Sequence, residues 1–87
     1  MINSITVKDV KLKLGVLCKS KRQSYDMSQE DLGEAIGLSR YTIQKFENGK
    51  NATLDTVLKI ANHFDLLKPL KKGIDKIIED ENNISLY

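Results

Sequence analysis

Ser28-Gln29-Glu30-Asp31-Leu32-Gly33-Glu34-Ala35-Ile36-Gly37-Leu38-Ser39-Arg40-Tyr41-Thr42-Ile43-Gln44-Lys45-Phe46-Glu47-Asn48-Gly49-Lys50 is the stretch that decides the fold. Ser28 has the side chain to cap a helix, and the polar or acidic Gln29, Glu30 and Asp31 fall at the positive end of that helix's dipole. Leu32, Ala35 and Ile36 recur at helical spacing, and Gly37 stops the run by offering the left-handed backbone that a tight turn needs. Ser39 caps a second helix through Asn48. Ile43 and Phe46 point inward from it, and Gly49 ends it. Two short helices are thus joined by the three residues Gly37-Leu38-Ser39, which is the layout of a helix-turn-helix.

Upstream, Thr6 and Asp9 form a capping-box start for a helix that should run to about Arg22 or Gln23. Val7, Val10, Leu14 and Leu17 recur on one face of it and are expected to look toward the core. Gly15 lies mid-helix at a propensity cost of about 1 kcal/mol, which implies close packing there. Asp26 stands at the following bend, where aspartate tolerates a left-handed backbone. Downstream, Thr53 caps a fourth helix with Leu54, Val57, Leu58, Ile60, Ala61 and Phe64 on a broad apolar face. Pro69 opens a fifth helix bearing Leu70, Ile74, Ile77 and Ile78, with Glu81 to Tyr87 lacking a clear period and expected to fray. The expectation is an all-α, five-helix, single domain over 1–87, with a core from 7 to 67 and a C-terminal helix and tail from 68 to 87.

Composition narrows the function. With 87 residues, 40% of them hydrophobic, the chain suits one compact domain. Cys18 is the only cysteine, so neither an internal disulfide nor a cysteine-based zinc site is available. Met1-Ile2-Asn3-Ser4-Ile5 lacks the pattern of a signal peptide, and no run approaches the roughly 20 apolar residues of a membrane span. A cytoplasmic protein is expected. His63, the one histidine, has no Cys, Asp or Glu partners at ligand spacing and reads as a surface or core-edge residue. No nucleophile-base pair and no phosphate-binding glycine loop occurs, so no enzyme, metal or cofactor is expected. The net charge of +2 is uninformative, but from Lys8 to Arg22 six basic residues stand against one acid, compatible with nucleic acid.

The 28–50 stretch, with Leu14-Gly15, Leu17 or Cys18, and Arg22 six residues before Ser28, resembles the Cro/phage-repressor (Xre) family. That family reads roughly S-Q-x-x-L-A-x-x-x-G-[LV]-S-x-x-x-I-x-x-[FIWL]-E-x-G, and the resemblance covers about residues 12–66. It implies a lambda-repressor-like fold and binding of double-stranded DNA. The helix from Ser39 to Asn48 would lie in the major groove. Arg40, Tyr41 and Lys45 fall where the family reads bases, with Gln44 as a further candidate. Gln29, Ser39, Asn48, Lys50 and Asn51 fall where it holds phosphates. Arg22 and Glu47 match a partly buried structural ion pair. One departure is Gly33, where the family usually carries alanine, which would loosen the first helix of the motif.

A narrower resemblance begins at Thr53-Leu54-Asp55-Thr56 and Lys59-Ile60. It points to antitoxins that bind a kinase-like toxin and repress their own operon, and Pro69 departs from those members that continue into a short strand. Two readings follow: a dimeric regulator, more naturally a repressor than an activator, on a palindromic operator, or an antitoxin whose main partner is a toxin protein. Leu66, Leu67, Leu70, Ile74, Ile77 and Ile78 exceed what a four-helix core needs and are the expected homodimer contacts.

Overall fold

The computed structural model describes residues 4–85, with side chains described through 83. Readings that touch Met1 to Asn3, or the tail at Leu86 and Tyr87, lie outside the described residues. Five helices follow in order: α1 (Val7–Ser24), α2 (Gln29–Ile36), α3 (Arg40–Glu47), α4 (Leu54–His63) and α5 (Leu67–Ser85). Thr6, Ser28, Ser39 and Thr53 each cap the helix they precede, accepting from the backbone N–H three residues on. Thr6 with Asp9 and Ser28 with Asp31 close full capping boxes. The backbone N–H groups of Thr6 and Ser28, each donating to the carboxylate at 2.9 Å, hold Asp9 and Asp31 below the usual aspartate range.

The first four helices stop by a common device. Asp26, Gly37, Gly49 and Asp65 all have positive φ, between 54° and 75°. Where Asp26 follows α1, the Met27 N–H reaches back to the Arg22 carbonyl, and after Asp65 the Leu66 N–H reaches Ala61 at 2.8 Å. This is the Schellman arrangement, in which the residue after the left-handed one turns inward and packs. Met27 and Leu66 accordingly lie against the core. Leu66 is therefore part of the rim of the core.

Cys18, Leu32, Ile43, Phe46, Ile60 and Phe64 form the buried cluster, ringed by Leu14, Met27, Ile36, Leu38, Val57 and Leu66. Two sequence expectations change here. On α1 the buried line is Gly15, Cys18 and Arg22, whereas Val7, Val10 and Leu17 are exposed. Only Leu14 of the expected stripe packs, because α3 lies along the glycine side of the helix. On α4 the inward residues are Thr56 and Ile60, so Leu54, two residues and about 200° around from Thr56, is 73% exposed. Leu58 and Ala61 are half-buried.

The glycines explain the close contacts. A Cβ on Gly15 would stand 2.5 Å from the Glu47 carbonyl oxygen and 2.7 Å from that of Phe46, so α3's last turn rests directly on α1. Gly33 meets the Leu38 carbonyl in the same way, and the Leu38 N–H donates to the Gly33 carbonyl at 2.8 Å. Instead of loosening α2, Gly33 lets the turn fold flat against it.

α5 differs from the rest. It starts at Leu67, two residues before Pro69, which sits in the first turn where its missing N–H goes unused. The helix continues through Ser85, past the expected fraying point. Its described side chains are all exposed, and it meets the domain mainly at α4. No helix among the described residues is long and apolar enough to cross a membrane.

Candidate nucleic-acid interface

Helix α3 packs its inner side, Ile43 and Phe46, against α1 and α2. Its outer side is left to solvent. Arg40, Tyr41, Gln44, Lys45 and Asn48 occupy positions i, i+1, i+4, i+5 and i+8, one continuous face opposite Ile43 and Phe46, and all five are exposed. Tyr41 is 66% exposed although aromatic, and the Lys45 ammonium lies 5.4 Å from the centre of its ring. That cation–π contact holds the lysine head along the helix surface.

The flanks of this face are polar. Arg22, Ser28, Gln29, Glu30 and Arg40 line one shallow depression beside the N-terminus of α2. At the other end of α3, Tyr41, Lys45, Gly49, Lys50 and Asn51 line a second. Ser39 is committed as the α3 cap, its oxygen accepting from the Thr42 N–H at 3.0 Å. Gln29 and Asn51 are each held by a side chain from another element. The Gln29 amide donates to Glu47 at 3.1 Å, and the Asn51 carbonyl oxygen accepts from the Lys11 ammonium. Lys11 was legible only as one lysine in a basic run; its meeting with a residue 40 positions later requires the fold.

Arg22 and Glu47 hold the face in place from behind. Nε of Arg22 donates to one carboxylate oxygen at 2.7 Å and a terminal nitrogen to the other at 2.9 Å, a two-point pairing. The second terminal nitrogen donates to the Met27 carbonyl at 2.8 Å. The two side chains are only 10% and 3% exposed. Burial pushes the Glu47 carboxyl up, but hydrogen bonds from Arg22 and Gln29 and the guanidinium charge outweigh it, so its pKa falls below the ordinary value. Cys18 sits beside this pair, its thiol pushed up to about 12 by burial and then by the Glu47 charge. It is a neutral packing residue.

His63 stands at the core edge, with its ring edge-on to Phe64 at 5.1 Å. Among the described residues no group of three or more His, Cys, Asp or Glu could hold a metal ion. Arg40, Tyr41, Gln44 and Lys45 are brought together with Gln29, Asn48, Lys50 and Asn51 around one side of the molecule. Leu67, Leu70, Ile74, Ile77 and Ile78 lie away from it, on α5.

The profile of the helix-turn-helix family matches residues 19–69, more than half of the chain. The chain belongs to the helix-turn-helix family, of the Cro/C1 type. Similar proteins agree with that placement. One from Methanosphaerula palustris is 41% identical over 51 residues, 59% of this chain and 17% of its own length. Another from Methanoculleus marisnigri is 39% identical over 61 residues, 70% of this chain and 19% of its own. A third, from Pyrococcus furiosus, is 32% identical over 62 residues, again 70% of this chain and 19% of its own. All three are provisionally named HTH-type transcriptional regulatory proteins. Each match thus spans less than a fifth of the relative. Within this helix-turn-helix domain, α2 and α3 are the two helices of the motif and α3 is the one in the recognition position.

Proposed function

We propose that this chain binds double-stranded DNA with α3 in the major groove and regulates transcription from a palindromic operator. The carrying observation is the exposed α3 face bearing Arg40, Tyr41, Gln44 and Lys45, set opposite the buried Ile43 and Phe46. Arg40 and Lys45 read base edges, the first by a two-point contact to guanine and the second at guanine O6 or N7. Tyr41 packs against a thymine methyl or the backbone while keeping Lys45 aligned. The α2 N-terminus at Gln29 grips a phosphate, and Ser39, Asn48, Lys50 and Asn51 hold others. The protein acts as a homodimer, since one recognition helix reads only a few base pairs, and its apolar α5 stripe is the joining surface. Repression follows when the operator overlaps a promoter, and the cytoplasm is the compartment this task implies. The toxin-binding alternative is less favoured, because α5 is a helix where those members of the subgroup that the resemblance brings in continue into a short strand.

Selection of bound sequences from a random duplex pool tests this reading. Enrichment of one inverted repeat, with affinity lost in Arg40→Ala and retained in a Glu34→Ala control, is expected. An unenriched pool refutes it.

A further inference from the structure

Helix α5 carries its charges in the wrong order for a helix that stands alone. Residues 67–76 hold four lysines and one aspartate, whereas 77–85 hold three acids and no base. The helix macrodipole favours acids near the N-terminus and bases near the C-terminus, so this layout opposes it. Two intrahelical pairs, Lys71–Asp75 at 2.7 Å and Lys76–Asp80 at 3.7 Å, account for part of the charge. Lys68, Lys72, Glu79 and Glu81 have no ion pair among the described residues. Along the same helix Leu67, Leu70, Ile74 and Ile77 follow a three-four-three spacing, with Ile78 beside them, between 38% and 63% exposed. That spacing matches the a and d positions of a helix-pairing seam.

We infer that α5 pairs antiparallel with α5 of a second copy, the two-fold axis passing between Ile74 and Ile77 so that Lys71 and Lys72 lie level with Asp80 and Glu79 of the other copy. This rests on the reading of α5 as the dimer helix and adds the direction of pairing. A parallel pair would set lysines on lysines and acids on acids. The antiparallel pair sets the basic half of each helix beside the acidic half of the other, and it also opposes the two dipoles. It has a consequence for the whole molecule. With a rise of about 1.5 Å per residue, the two Leu67 positions fall roughly 20–30 Å apart, at opposite ends of the pair. Two DNA-reading domains are then carried apart on a scale comparable with one turn of duplex, about 34 Å.

The test uses sedimentation equilibrium of the full chain at about 10 mM ionic strength, where charges act over roughly 30 Å. The variants are Lys68→Glu/Lys72→Glu, Glu79→Lys/Glu81→Lys and all four together. Both intrahelical pairs survive in each variant. The first variant also suits the helix dipole better, so weakened association cannot come from a melted α5, and circular dichroism checks this. Each half-exchange should weaken the dimer about fivefold, the full exchange should restore it, and the differences should shrink at high salt. A parent dimer indifferent to the half-exchanges overturns the antiparallel direction alone. A parent that stays monomeric at high micromolar concentration, with and without duplex, overturns the dimer reading on which the inference rests. Ile74→Asp separates a third case, since a dimer that survives it does not use this stripe.

Discussion

Replacing Arg22 with methionine puts the internal support of the α3 face to a quantitative test. Glu47 is 3% exposed and takes two of its hydrogen bonds from Arg22, leaving only Gln29 at 3.1 Å and the weak Cys18 thiol at 3.5 Å once the guanidinium is gone. A buried carboxylate stripped of its cation costs about 3–5 kcal/mol. The total stability of a small domain is of order 5–15 kcal/mol, so Arg22→Met should come close to unfolding the protein at 37 °C. Glu47→Met alone strands Arg22 and should also destabilise. The double variant puts two apolar side chains in contact and should recover much of the loss. Urea denaturation of the four proteins at pH 7 closes the cycle, with an expected coupling of about 3 kcal/mol. The pH dependence supplies a second check with a definite sign. In the parent, the Glu47 pKa is lowered on folding, so its contribution is present above about 4.5 and is lost as pH falls through the lower folded value. In Arg22→Met the unpaired carboxyl has a raised folded pKa, so lowering the pH from 7 toward 5 should restore stability. Additive single-variant losses with no reversal of the pH slope would refute the reasoning.

Gly15→Ala should lower stability, although alanine is the better helix former by about 1 kcal/mol, because the new methyl overlaps the Phe46 and Glu47 carbonyls; thermal unfolding reads the sign. Gly73→Ala has open space around it and should gain stability by up to about 1 kcal/mol in the same assay. Lys45→Ala should weaken operator binding by about 1–3 kcal/mol in a fluorescence titration while leaving the melting temperature unchanged. Lys50→Ala should weaken binding to all duplexes alike and reduce the slope of log affinity against log salt by about 1.

The helix-turn-helix unit was legible because its punctuation is local. Ser28 and Ser39 cap within three residues, Gly37 and Gly49 carry the positive φ that marks each end, and the spacing of Leu32, Ile43 and Phe46 records the inner faces. What escaped sequence reading is decided by neighbours far along the chain. Val7, Val10 and Leu17 show a helical stripe as regular as any other, but α3 approaches from the Gly15 side, which hydrophobic periodicity cannot weigh because glycine has no side chain. The same blindness made Gly33 look like a flaw. Leu54 follows the apolar pattern of α4 yet lies about 200° around the helix from the buried Thr56. The packing of Leu66 on the core was not legible either, because the left-handed corner at Asp65, which turns it inward, has no glycine to announce it. At the candidate site the residues on α3 were readable from their positions in the motif. The links from Lys11 to Asn51 and from Gln29 to Glu47 join separate elements, and no local signal encodes them.

Backbone amide shifts, followed while the selected duplex is added to isotope-labelled protein, bear most directly on where nucleic acid docks. The largest changes are expected at Gln29, from Arg40 to Lys45, and from Asn48 to Asn51, with α5 beyond Leu70 little moved by the duplex. Changes centred on α1 or α5, with the Arg40–Lys45 amides unmoved at saturation, would contradict the account.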